Sequence, residues 1–462
     1  MALNDLLILL MFASFIALLF TGYPIAFVLG GVAMGFTLLG YFSDQYLGTA
    51  TGVDFNVLGM VVNRVYKLMS NWVLVAIPMF IFMGLMLDES GVAERMMRSM
   101  QDLFGKVHGG LGITVALIGI ILAASTGIVG ASVVLLSVLT LPVMLAQGYS
   151  KTLSLGVVAA SGTLGILIPP SIMLVFMADQ LTLSVGDLFM GAFIPGVTLG
   201  LLYIVFILLA GLIRPELFPL AGDRRPLTGW VVLDVFKTIL PTVLLIFVTL
   251  GSIFAGMATA TEASGVGALG ATLLAWGNKR LNFPVIRKVA EDTFRTCGFI
   301  FGIFVGATAF AMVLRLLGGD ELIQGMIKRL PLGPYGIVSV ILFAIFLMGF
   351  FLDWIEICFI MLPLLAPVIN DIGLKFTGYP GIDNPELVWF SILVAITLQT
   401  SFLTPPVGFS IFFLQGVMPP SCTLMDIYKG IIPFVILQLI GLAFPILFPQ
   451  MVLWLPQLAY GK

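Results

Sequence analysis

Two prolines stand side by side in GTLGILIPPSIMLVF (162–176), and two more in TSFLTPPVGFSIFFL (400–414). No other feature limits the fold of this chain as much. Proline offers no N–H to a helix and its ring strikes the preceding turn, at about 3 kcal/mol for one interior residue, so each doublet ends a helix. Yet both lie in stretches apolar enough to sit inside a bilayer. With 60% hydrophobic and 10% charged residues among 462, and a mean hydropathy of +1.16, the chain reads as a polytopic membrane protein. In lipid a freed carbonyl cannot turn to water, so irregular backbone survives there only if protein buries it or a wet cavity receives it. The doublets therefore mark either packing or a site.

Pro405 follows Pro169 by 236 positions, and the surroundings repeat with them. VGDLFMGAFIP (185–195) answers LMDIYKGIIP (424–433), and AASTGIVGASVVLLSVLTLPVML (123–145) answers FFLDWIEICFIMLPLLAPVIN (350–370). TGYPIAFVLGGVAMGFTLLG (21–40) precedes ATATEASGVGALGATLLAWG (258–277) by 237. An internal duplication accounts for all of these, with one repeat over 1–213, a second over 235–462 and a polar, proline-rich connector at 214–234. GVGALG within the second repeat has no strand before it and is not a dinucleotide fingerprint; its small residues suit close helix packing.

Five crossings fit the first half, near 5–20, 23–41, 72–88, 152–178 through the doublet, and 187–213. Residues 110–147 are left as a re-entrant hairpin, because STGIVGAS (125–132) splits an apolar run whose arms, about 17 residues each, are marginal spans. The second hairpin falls near 334–371. An odd number of crossings turns the halves antiparallel. The fold class is then an all-α polytopic membrane protein of two inverted repeats, with about ten crossings, two re-entrant hairpins and discontinuous helices at 169–170 and 405–406. Of the 21 Lys and Arg, fourteen, Arg95, Lys151 and Lys288 among them, fall on one side, which the positive-inside rule makes cytoplasmic. Both termini are then predicted outside, with the first hairpin opening from the cytoplasm. The first apolar segment has no basic flank and is expected to be a retained span, not a cleaved signal. AERMMRSMQDLFGKV (93–107) and FPVIRKVAEDTFRTC (283–297) interleave apolar and basic positions, as expected of equivalent arm helices along the membrane surface or of partner-binding helices.

Composition excludes several functions. A net charge of −2 offers no basic surface for nucleic acid, and no GxxxxGK[ST] sequence supplies an ATPase. The single histidine, His108, lies beside two glycines, which leaves no metalloprotease motif and no Ser–His pair, so no enzyme or cofactor is expected. Cys297, Cys358 and Cys422 are scattered in apolar context, as packing residues are.

Candidate site residues cluster at the breaks. Ser125, Thr126, Gly127, Gly130 and Ser132 form the first tip; Gly162 and Thr163, with Ser161 and Ser171, surround Pro169 and Pro170. Thr400, Ser401 and Thr404 precede Pro405 and Pro406. Unwound carbonyls and hydroxyl oxygens suit Na⁺, a hard cation, and half-helix N-termini attract carboxylates. The same hydroxyls also cap backbone inside membranes without any ligand. Asp353 and Glu356, at i, i+3 near the second tip, could bind a cation, relay protons or cap a short helix. Glu262, after a threonine run, could be a cap or a functional carboxylate.

GILIPPSIMLVF, LFMGAFIPG, GMATATEASGVGAL and TPPVGFSIFF resemble, in that order, the large membrane subunit of tripartite ATP-independent periplasmic (TRAP) transporters, the DctM type, from about Leu6 to Leu447. Ala260 stands where the family usually has proline, and DWIEI at the second tip is a variant. The resemblance implies an inner-membrane symporter subunit that imports organic acids, C4-dicarboxylates among them, driven by Na⁺. It implies two partners, a small four-helix membrane subunit and a periplasmic substrate-binding protein, and an elevator motion of a mobile domain against a scaffold braced by arm helices. It also implies Na⁺ ligation around Ser125, Gly127 and Ser132, Gly162 to Pro170, and Thr400 to Pro406. The alternatives are a stand-alone Na⁺/anion symporter that needs no binding protein and, more distantly, a channel.

Overall fold

The computed structural model describes residues 3–49, 51–104, 107–126, 129–220 and 228–461, and every regular element among them is helical. Helices α1 (Leu3–Leu19) and α2 (Ile25–Leu47) are followed by amphipathic α3 (Phe55–Met69), a 3-10 turn at Trp72–Val75 running into α4 (Ala76–Glu89), and amphipathic α5 (Val92–Phe104). The apolar pair α6 (Gly110–Thr126) and α7 (Val129–Ala146) comes next. Then α8 (Lys151–Thr163) tightens to 3-10 at Leu164–Ile166 and stops at the first doublet, α9 (Ile172–Leu181) resumes beyond it, and α10 (Val185–Ile213) returns.

The second half runs through α11 (Gly229–Phe254), α12 (Ala260–Gly277), α13 (Phe283–Leu316) and α14 (Gly319–Lys328). Its apolar pair is α15 (Pro334–Met348) with α16 (Trp354–Glu356), a π-turn at Ile357–Met361 and α17 (Leu362–Asp371). The second broken helix is α18 (Pro385–Leu403) and α19 (Phe409–Val417), after which come α20 (Leu424–Leu447) and a short closing helix, α21 (Gln450–Tyr460).

Nine segments among the described residues are long and apolar enough to cross a membrane, so the chain is an all-α polytopic membrane protein. Length alone does not sort crossings from hairpins. Two of the nine, Val129–Ala146 and Trp354–Asp371, are second arms of the pairs expected to be re-entrant, whereas α8 and α9, the halves of a broken helix, are both too short to qualify.

Two expectations need correction. Helix α11 begins at Gly229, inside the connector expected at 214–234, because Trp230, Val231 and Val232 are apolar enough to extend it. In chain order the stretch 283–297 stands opposite α3, not opposite 93–107. It is the first part of the 34-residue α13, which merges an arm and a span that Ser70 and Asn71 keep apart in the first half; α5 is matched by α14.

Packing is reciprocal between halves. Helix α2 lies on α13 while α12 lies on α4, and α8 lies on α20 while α10 meets α18. Glycines make the close crossings: a Cβ on Gly306 would meet the Ala26 carbonyl oxygen at 2.4 Å, and one on Gly267 the Met83 sulfur at 2.5 Å. Two groups result. One holds α1 to α4 with α11 to α13; the other holds the two apolar pairs, the two broken helices, α10, α20 and α21. Phe304 of α13 bridges them, its ring 4.4 Å from that of Phe176 and 4.2 Å from that of Phe359. The broken helices are apolar on all sides and are buried accordingly, Leu387 to Leu403 and Ser154 to Thr163 without exception.

Arg95 donates to the Asn278 carbonyl groups at 2.7 and 3.1 Å, and Lys288 pairs with Glu89 at 2.6 Å. These bonds gather several of the predicted cytoplasmic cations at one end of the bundle.

Candidate functional site

Pro169 and Pro170 remove the N–H groups that would have answered Gly165 and Ile166. Ile166 recovers a partner, since the Ser171 hydroxyl donates to its carbonyl at 2.6 Å. The second break repeats the device: Pro405 and Pro406 strip Ser401 and Phe402, the Ser410 hydroxyl donates to the Phe402 carbonyl at 2.8 Å, and the Thr404 N–H reaches the Ser401 carbonyl at 3.1 Å. Both Pro–Pro bonds are cis.

Beyond each doublet a half-helix starts with no side chain capping it, α9 after Ser171 and α19 after Gly408. Ile172 at the first start and Ser410 at the second are fully enclosed, although Phe412 in the first turn of α19 is 65% exposed. Each start carries free backbone N–H groups and the positive end of a helix dipole. Such a position suits an anion.

The hydroxyls around the second break all donate to the helix backbone. Thr400 donates to the Ile396 carbonyl at 2.8 Å, Ser401 to Leu398 at 3.0 Å and Thr404 to Thr400 at 2.7 Å. Each hydrogen is spent on the helix, which leaves oxygen lone pairs for a cation. Ser161, ahead of the first break, is buried with no partner for its hydroxyl among the described residues.

The apolar pairs press on these breaks through glycine. A Cβ on Gly162 would meet Val133 of α7 at 2.4 Å, one on Gly130 the Phe413 ring at 2.8 Å, and one on Gly349 the Ser401 hydroxyl at 2.2 Å. So the first pair touches both broken helices, and so does the second, whose Trp354 and Phe359 rings lie against Phe176 of α9. Ser132 is buried on α7 in the same region. Gly127 and the side chains of Ser125 and Thr126 lie outside the described residues.

Asp353 caps the tip of the second pair, accepting the Trp354 N–H at 2.8 Å. Asparagine keeps that cap and alanine does not. Asp353→Asn should therefore leave the thermal midpoint of the purified protein within a degree or two, and Asp353→Ala should cost about 1 kcal/mol in a parallel unfolding scan. Equal losses in the two would refute the capping role.

Glu356 is 1% exposed, forms no ion pair among the described residues and has one carboxylate oxygen without a partner. The π-turn begins at the next residue. Such turns recur at functional sites because they re-aim side chains.

Two candidates take other roles. Glu262 is exposed and closes a capping box, accepting from the Thr259 N–H at 2.8 Å and its hydroxyl at 2.9 Å, on a helix packed against α4. Thr163 donates to the Ala160 carbonyl at 2.8 Å and accepts from the amides of Gln399 and Gln438, both at 3.3 Å, so its oxygen has no lone pair left for an ion. Gln399, Gln438, Tyr203 and Ser410 escape the sequence reading, although Gln399 follows Thr163 by the same 236 positions that separate the doublets.

Two proline-broken helices packed against apolar helix pairs inside an all-α membrane bundle are an architecture of secondary transporters. The chain matches the family model of the tripartite ATP-independent periplasmic transporter, DctM component, over residues 12–451, and belongs to that family. It is the large permease subunit of a secondary transporter and not an enzyme.

It is similar to the C4-dicarboxylate TRAP transporter large permease protein DctM of Vibrio cholerae, 29% identical over 98% of each chain. The ectoine TRAP transporter large permease protein TeaC of Halomonas elongata is 26% identical over 98% of this chain and 99% of that one. The crystal structure of the YdaH transporter of Alcanivorax borkumensis shares the fold, with a TM-score of 0.54 at 12% identity over 82% of this chain and 87% of that one.

Proposed function

We propose that this permease imports an organic acid by symport with Na⁺, receiving it from a periplasmic binding protein and working beside a small four-helix membrane subunit in the bacterial inner membrane, with both termini periplasmic. One observation supports the reading: two sequence-related breaks each set an uncapped helix start beside hydroxyl oxygens. Helix starts fit the substrate carboxylate and the oxygens fit Na⁺. The ligand set is Ser132 and the first tip at Ser125 to Gly130, Gly162 to Pro170 without the Thr163 side chain, Thr400 to Pro406, and the carboxylates Asp353 and Glu356. Cations bound there would offset these acids and the charge of the anion between the breaks.

The division into two packing groups supports an elevator, in which the broken helices and hairpins slide as one body past α2, α4, α12 and α13. C4-dicarboxylate and ectoine appear in the names of relatives, and a carboxylate substrate fits two positive helix ends best.

The test is uptake of radiolabelled organic acids into proteoliposomes, with and without an inward Na⁺ gradient, the binding protein and the small subunit. Uptake that needs all three is the expected result. Uptake by this chain alone would make it a stand-alone symporter, and uptake indifferent to Na⁺ would remove the coupling ion.

A further inference from the structure

Thr163 and Gln399 each stand six residues before a proline doublet, on the last turns of α8 and α18. They meet. The Gln399 amide donates to the Thr163 hydroxyl at 3.3 Å, and the Gln438 amide of α20 donates to the same oxygen at 3.3 Å and to the Tyr203 hydroxyl of α10 at 2.9 Å. All four residues are fully buried, and the amide oxygens of both glutamines lack a partner among the described residues. A cluster half satisfied in this way works against stability, and apolar side chains of the same volume would fill the space without that cost.

Its position gives it a use. Thr163 follows Gly162 at the first break, and Gln399 precedes Thr400 and Ser401 at the second. Neither helix end can shift without disturbing the bond to the other, and α10 and α20 hold both from behind.

We propose that Thr163, Gln399, Gln438 and Tyr203 are positioning residues that couple the two breaks, so that an ion bound at one raises the affinity of the other. The inference rests on the reading of both breaks as Na⁺ sites. Coupling is a reciprocal free energy carried by an element both sites bias, here the joined ends of α8 and α18.

Neither Gln438 nor Tyr203 belongs to the ligand set proposed above, so they test coupling without removing a ligand. The full chain in lipid nanodiscs is titrated with Na⁺ against a choline control, and the fluorescence of its tryptophans is followed; Trp354 sits at the second hairpin tip and Trp389 within α18. The wild type should give a Hill coefficient approaching about 2, and Gln438→Met should bring it to about 1 with a half-saturating concentration raised about 5-fold or more. Tyr203→Phe, which keeps the ring against Phe434, gives the same comparison with little risk to folding. A loss of thermal stability with an unchanged Hill coefficient would mean the cluster is structural only. A sodium-responsive wild type with a coefficient of 1, or variants that keep the wild-type value, overturns the coupling alone. A wild type blind to Na⁺ overturns both the coupling and the reading beneath it.

Discussion

Glu356→Gln should abolish Na⁺-driven transport without destabilising the protein. The side chain is 1% exposed and one carboxylate oxygen has no partner, so its retention costs the fold on the order of 1–3 kcal/mol. Glutamine keeps the shape and removes the charge. If Glu356 holds a coupling ion, Na⁺-driven uptake should fall by about 100-fold or more, the scale on which losses around a bound metal register. The thermal midpoint should stay or rise. Opposite signs in the two measurements distinguish a functional charge from a structural one. Uptake within a few-fold of wild type would exclude Glu356 from the site, and a lowered midpoint would show that the carboxylate holds the hairpin together.

The second large effect is on folding. Gly156 of α8 and Gly430 of α20 face each other so closely that a Cβ on Gly430 would meet the Thr152 carbonyl oxygen at 2.0 Å, and one on Gly156 the Gly430 oxygen at 2.1 Å. Both obstacles are backbone, which cannot rotate away as a side chain would. Gly430→Ala would therefore push α8 from α20, and overpacking of this kind costs about 3 kcal/mol or more. The measurement is the yield of monodisperse protein and its thermal midpoint. Gly191 occupies the corresponding place in the first half, where a Cβ would meet the Val452 side chain at 3.1 Å and its carbonyl oxygen at 3.3 Å. Gly191→Ala should cost less than about 1.5 kcal/mol. Equal tolerance of the two substitutions would contradict the close approach of α8 and α20.

Much of this architecture is legible in the residues because a bilayer leaves few choices. Apolar runs must become helices, and a doublet of prolines must interrupt them, so the boundaries at 169–170 and 405–406 follow from covalent chemistry. The second hairpin, expected near 334–371 from its repeat relation to 110–147, is not told from a crossing by length, since Trp354–Asp371 is long and apolar enough to span. The arms are harder to pair. Nothing in FPVIRKVAEDTFRTC says that the helix will run on without a stop to Leu316, because no proline or glycine pair interrupts it and the first half alone carries Ser70 and Asn71.

At the site, charge and hydroxyl content point to the breaks, but they do not tell which lone pairs are free. Thr163 and Thr400 look alike in sequence; the amides that fill the valences of one come from residues 236 and 275 positions away. Glu262 is ambiguous in the same way until the Thr259 bonds are seen.

The unbroken run of α13 has a mechanical consequence. At 34 residues it is about 51 Å long, against roughly 30 Å of hydrocarbon, so it extends well beyond the apolar layer. The first half has a joint at the corresponding point, where Asn71 caps the short turn before α4 and also bonds to Asp179 on α9. One half of the molecule can therefore flex where the other is a beam. A tilt imposed on the far foot of that beam has no joint to absorb it before Phe304, whose ring lies against Phe176 beside one break and Phe359 in the second hairpin.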